Sequence, residues 1–177
     1  MIISRILALG FFMVLACVGC KTIATKEKKF LQSFSQEEFN DFKNTSFFWR
    51  GRDGNNLILT LVDRRLDSAC TASSPVTLIS IDEKSHQIKQ IRHSFEPPCT
   101  SWLSKPQIER LAAKVIRYKV GSVHVDEYGN VTIGFQSSNF TSDDLVKIVD
   151  KKHIEASFWR DYVQVQGAWY ARKEGSN

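Results

Sequence analysis

Alternation of apolar and polar positions dominates residues 45–135 and predicts strands joined into hairpins. Phe47 and Trp49 precede Arg52-Asp53-Gly54, and the run Leu57-Ile58-Leu59-Thr60-Leu61-Val62 follows. Pairing Trp49 with Leu57 and Phe47 with Leu59 keeps these side chains on one face and leaves a three-residue loop ending in Gly54, a position that favours the left-handed conformation of glycine. The device recurs where Val123 and Val125 face Val131 and Ile133, with Glu127-Tyr128-Gly129 as the loop between Val125 and Val131. Residues 76–82 and 88–95 form two more strand candidates around the polar stretch Glu83-Lys84-Ser85-His86. Val163, Val165 and Trp169 share one parity against Gln164 and Gln166, which predicts a last strand.

Helical periodicity is clearest after Ser104-Lys105-Pro106-Gln107. This capping-box pattern precedes Ile108, Leu111, Ala112 and Val115 at i, i+3, i+4, i+7 and predicts a helix over residues 106–118. Ser35-Gln36-Glu37-Glu38 carries the same signature, flanked by Phe34 and Phe39, and predicts a short helix to about Lys43. Thr141-Ser142-Asp143-Asp144 predicts a third, with Leu145, Ile148 and Val149 inward and Asp143, Lys147 and Lys151 outward, continuing past His153 toward Trp159. The expected fold is α+β: an antiparallel sheet of about five to seven strands built from hairpins, with about three helices packed on it.

The first 20 residues follow a different logic. Arg5 is the only charge before Lys21, and residues 6–20 (ILALGFFMVLACVGC) are uncharged and mostly apolar. As a helix this stretch would reach about 22 Å, short of the roughly 30 Å of a bilayer's hydrocarbon. It ends in Val18-Gly19-Cys20 and the chain then turns polar. That junction resembles the lipobox of bacterial lipoprotein precursors, which implies cleavage before Cys20 and diacylglycerol on its thiol. The position three before the cysteine, usually Leu in that family, is Cys17 here, and Val14-Leu15-Ala16-Cys17 forms a competing site. Lys21 rather than an aspartate follows the cysteine, which in Gram-negative members of the family favours the outer membrane. The resemblance thus divides the chain into a signal peptide at 1–19, a basic lipid-proximal tether at 20–29 and one globular domain at 30–177.

Cysteine parity and charge each change this picture. Cleavage before Cys20 discards Cys17 and leaves Cys70 and Cys99 as an even pair, which an oxidising compartment would allow to join in a disulfide worth about 3–4 kcal/mol by loop-closure entropy. Cleavage before Cys17 would leave Cys20 unpaired. The whole chain carries +5, yet residues 30–177 hold 19 basic and 18 acidic side chains, a net +1, while Lys21, Lys26, Lys28 and Lys29 crowd the tether. Such a tether suits anionic head groups, and nothing in this distribution points to nucleic acid.

Candidate chemistry is sparse. His124 and Asp126 alternate on the polar face of a strand, but no third metal ligand stands at a defined spacing from them; His86 and His93 would face opposite sides of one regular strand. No nucleophile-elbow, zincin or phosphate-loop motif occurs. Neither a cofactor nor a metal is implied. Arg64 and Arg65, in alternating charge at a strand end, and Trp159 and Arg172, aromatics and cations together, are the candidate partner-binding residues, and Trp102 is placed to pack on a Cys70–Cys99 disulfide. The order of elements resembles that of type III secretion chaperone-like domains and the YbjN-type sensory-regulator family, most closely in the hairpin and capped helix over residues 123–149; this implies a fold and no binding residues.

The function expected is that of a lipid-anchored envelope protein, on the outer membrane facing the periplasm, acting as a non-enzymatic binding or structural module. Its partner would be another envelope protein, peptidoglycan or a toxin. A small periplasmic enzyme with a dispersed site is the alternative. Cys20→Ser should abolish acyl labelling with radiolabelled palmitate and release the protein from the membrane fraction; labelling that persists there but is lost in Cys17→Ser would move the mature start.

Overall fold

The computed structural model describes residues 25–65, 76–94, 101–135 and 143–173. Cys17, Cys20, Cys70, Cys99 and the stretch expected to be a signal peptide lie outside them. Among the described residues nine strands join one open antiparallel sheet: β1 (Thr45–Asp53), β2 (Asn56–Asp63), β3 (Thr77–Asp82), β4 (Ile88–His93), β5 (Ser122–Val125), β6 (Val131–Phe135), β7 (Asp143–Lys147), β8 (Tyr162–Gln166) and β9 (Trp169–Arg172). Their spatial order is β4-β3-β2-β1-β5-β6-β7-β9-β8. The three α-helices are α1 (Thr25–Phe34), α2 (Lys105–Tyr118) and the short α3 (Ala156–Asp161). The α+β class and hairpin construction stand as expected, and the sheet is wider than the five to seven strands anticipated.

The β5–β6 hairpin has the anticipated register, Val125 opposite Val131, with Gly129 at φ +88°. In β1–β2 the facing set is preserved but the register moves by two: Trp49 opposes Leu59 and Phe47 opposes Leu61. A bulge between Trp49 and Gly51 and a tighter turn at Gly54-Asn55, with Gly54 at φ +57°, account for the shift. The expected last strand is a third hairpin, β8–β9, turning at Gly167 and Ala168 with Gly167 at φ +55°.

Two predicted helices are corrected. Residues 35–42 form a turn and a 3-10 turn (Asn40–Phe42), while the helix lies earlier, as α1. The Ser35 carbonyl accepts from Trp169 Nε1 at 3.0 Å and the Glu37 carbonyl from Lys147 Nζ at 2.9 Å, so distant side chains anchor this segment. The true stripe is Glu27, Phe30, Leu31 and Phe34, at i, i+3, i+4, i+7, and a fully buried carboxylate among lysines disguises it as part of a polar tether. α1 thereby takes residues 25–29 of that stretch into the folded body. Residues 143–147, expected to be helical, are β7, with Leu145 facing one side of the sheet and Val146 the other. A strand buried on both faces has no period-two alternation, and over five residues it reads equally well as a helix face. The hairpin-then-helix element behind the chaperone-like resemblance is therefore absent, since β7 follows β6.

α2 matches expectation. The Ser104 N–H and Oγ both donate to Gln107 Oε1 at 2.8 Å, and Ile108, Leu111, Ala112, Val115 and Tyr118 are buried. With α1 they cover one face of the sheet through an aromatic cluster: Phe30 meets Tyr118, Phe135 and Trp169 edge-on at centroid distances of 6.1, 5.9 and 5.6 Å. α3 covers the opposite face only over β7, β9 and β8, where Phe158 and Tyr162 pack on Val146, Ile148 and Tyr170. Phe30→Ala should therefore cost about 3–5 kcal/mol in urea denaturation, the range for a truncated core aromatic. A loss under about 1 kcal/mol, the scale of surface substitutions, would mean that α1 is not part of the core.

Candidate binding surface

Over β1 to β6 the second face of the sheet is covered by no helix among the described residues. Register fixes what it presents. One row runs Arg92, Leu78, Thr60, Phe48, Ser122, Gly134 across six strands, with Thr60 and Gly134 buried within it, and the next runs Val62, Ser46, His124, Thr132. The β1 bulge leaves Arg50 unpaired in the ladder, beside a shallow cleft floored by Ile58 and Leu78 and walled by Ser80, Gln90 and Arg92. Phe48 is 39% exposed at its edge.

Among the described residues neither Arg50 nor Arg92 forms an ion pair, whereas Arg52, at the end of the cleft, is held by Glu83 at 2.6 Å. Asp53 is the acidic residue lining this cleft. The expected binding residues divide. Arg64 is exposed and on this side of the sheet, close enough to His124 to disfavour its protonation. Arg65 instead grips the buried Asp63 carboxylate with two bonds of 2.8 and 3.2 Å and serves the strand end. Trp159, 40% exposed on α3, packs edge-on against Phe158 and Tyr170, and Arg172 lies at the end of β9. Five strand spacings, about 24 Å, separate β2 from β9, so the four residues do not form one patch.

His124 and Asp126 also part company. His124 Nδ1 lies 2.7 Å from Ser46 Oγ on the neighbouring strand. Burial lowers its pKa below the ordinary 6.5 and Arg64 lowers it further, against a weaker opposing pull from Asp126. The Asp126 carboxylate is taken up by the hairpin tip, accepting from the N–H groups of Tyr128 and Asn130 and from Asn130 Nδ2 at 2.8–2.9 Å. No group of three His, Cys, Asp or Glu side chains that could hold a metal occurs among the described residues. His93 pairs with Thr77 Oγ1 at 2.8 Å, and His86 sits in the β3–β4 turn at φ +55°. His153 closes the 3-10 turn Lys151–His153, stacked on Tyr128 with ring centroids 3.6 Å apart and bonded to Asp150. Trp102 is 66% exposed.

Comparison with protein families, curated proteins and solved structures finds no match to this chain. The surface therefore stands on its own geometry. Phe48, Arg50 and Arg92 went unrecognised in the sequence although their parity, opposite to Phe47, Trp49 and Ile91, is visible there. What parity lacks is which face the helices cover.

The His124 environment has a pH signature. Its native imidazole takes up a proton less readily than that of the unfolded chain, so its contribution to stability is complete above pH 6.5 and is lost as the pH falls from there through the lower native value. Between pH 7.5 and pH 5 the melting temperature of the wild type should fall more than that of His124→Gln; parallel curves would show that the imidazole does not titrate with the fold.

Proposed function

We propose that this chain is a lipid-anchored cell-envelope protein whose folded body is a non-enzymatic binding module, and that the uncovered face of β1 to β4 is its contact surface. The observation that carries this is a cleft with an apolar floor lined by two guanidinium groups without salt-bridge partners among the described residues, Arg50 and Arg92, with the part-exposed Phe48 two residues from Arg50 and in the register row of Arg92. Aromatic and arginine side chains anchor interfaces because they bury much area for few frozen torsions and supply planar donors. The anchor rests on the sequence: residues 1–19 as leader, Cys20 as acylated start, and the outer membrane as destination. No helix among the described residues is long and apolar enough to cross a membrane.

One observation favours the enzyme alternative. A neutral imidazole within hydrogen-bond reach of a serine hydroxyl, as in Ser46 and His124, is the beginning of a nucleophile–base pair. Asp126 does not complete it as a third member, because its carboxylate is engaged by its own loop.

Placing a photo-crosslinking benzophenone amino acid at position 48 in cells should yield a discrete adduct of defined mass in the envelope fraction. The same probe at exposed Lys28, on α1, should not. Adducts equal from both positions, or none from position 48, would overturn the assignment of this face. A hydrolytic activity lost in both Ser46→Ala and His124→Ala at unchanged melting temperature would install the enzyme reading instead.

A further inference from the structure

Cations outnumber anions around the cleft on the open face, while Asp144 of β7, opposite Gly134, stands on the same side farther along the sheet. Arg50 and Arg92 flank its cleft, and Arg64 stands farther along the same side. The acidic groups around it are largely committed: Asp63 to Arg65, Glu83 to Arg52, and Asp82 to the Ser85 turn, whose N–H and Oγ both reach its carboxylate at 2.8 Å. Asp53, at the end of the cleft, is the exception.

Spacing says what could meet these cations. Arg50 on β1 and Arg92 on β4 are three strand spacings apart, about 14 Å, and Arg64 lies about 20 Å from the level of Arg50 along the strands. Cations so spread match an extended chain bearing several anionic groups better than one small anion. An extended polypeptide advances about 3.3 Å per residue, so on a segment lying across β1 to β4 carboxylates about four residues apart would reach Arg50 and Arg92, with apolar side chains between them over Ile58 and Leu78. A planar bilayer fits less well, because α3 rests on the same side over β7 and β9 and raises a ridge of about 10 Å beside the face. Counted from Thr25, the folded body holds 22 basic and 19 acidic side chains, a net +3, which is a small attraction for the phosphates of nucleic acid.

We propose that this face binds an acidic, partly apolar polypeptide segment in extended form, contributed by a partner protein and lying across β1 to β4, with Arg50 and Arg92 as carboxylate contacts and Phe48 as the apolar anchor. The proposal rests on reading the body as a binding module and names the chemistry of its partner.

The test uses the full chain in phosphatidylcholine nanodiscs and a fluorescein-labelled peptide repeating Glu-Leu-Asp-Phe, followed by anisotropy. A peptide with Lys in place of the acids and poly-L-glutamate serve as comparisons. Saturable, salt-sensitive binding of the first peptide is expected, weaker binding of poly-L-glutamate and none of the basic peptide. Arg50→Glu and Arg92→Glu should each weaken binding at least about tenfold at unchanged melting temperature, while Arg160→Glu on α3 should not. Equal binding of both peptides, or wild-type binding by the reversal variants, would overturn the proposal. So would absent peptide binding combined with protection of Arg50 and Arg92 from phenylglyoxal only in phosphatidylglycerol nanodiscs, which would make the face a lipid contact. If cross-linking through position 48 persists unchanged in the reversal variants, the binding-module reading survives and the acidic partner does not.

Discussion

Burial of one sheet face beneath a continuous aromatic cluster is the constraint on which the rest of the molecule depends. Phe30 and Phe34 from α1, Phe39 and Phe42 from the connecting turn, Tyr118 from α2, Phe135 from β6 and Trp169 from β9 converge there with ring separations of 4.9–6.2 Å. These rings come from both ends of the chain, so the cluster ties α1 to the last hairpin and holds α2 over the middle of the sheet. Edge-on pairs of this kind add to the hydrophobic term because each ring's positive edge meets its neighbour's negative face.

Cations close the rim of the cluster. Arg117 lies 5.6 Å from the Phe34 ring and 5.4 Å from that of Tyr118, and Lys147 lies 5.8 Å from both Phe39 and Trp169. Glu37 holds Arg117 at 2.9 Å and Lys114 at 3.7 Å, while Asp41 holds Lys114 and Arg110 at 3.5 and 3.6 Å. The outer face of α2 thus carries charges that are paired, and its arginines and lysine belong to the body's own architecture. Burial and the nearby Glu37 carboxylate raise the Tyr118 pKa well above its ordinary value, keeping that phenol neutral inside the cluster.

Because α1, α2 and the 35–42 turn all take the same side, among the described residues α3 is the helix on the other side, and its six residues cover only the β7–β9–β8 end. That asymmetry produces the candidate surface. It also separates side chains that the sequence sets close together. Arg64 and Arg65 are neighbours, yet one is exposed beside His124 and the other is locked to Asp63. Asn130, buried at the hairpin tip, joins distant segments by accepting from the N–H groups of Val149 and Asp150 at 2.9 Å while donating to Asp126.

Local chemistry alone determined the α2 capping box and its buried stripe, the β5–β6 register with Gly129 in its turn, and the two faces of β1 and β2. In each case the deciding groups lie within a few residues of one another, and period and turn geometry are local quantities. Tertiary structure decided the rest. The bulge at Arg50-Gly51, together with the two-residue turn at Gly54-Asn55, set β1 against β2 two residues from the expected register. Trp169 and Lys147 took the carbonyls of Ser35 and Glu37, where the local pattern called for a helix. β7 became a strand because β6 and β9 offered ladders on both sides of a segment too short for its own periodicity to resist. The exposed face was beyond local reading for the same reason: alternation divides a strand into two faces, and only the docking of helices determines which of the two remains in water.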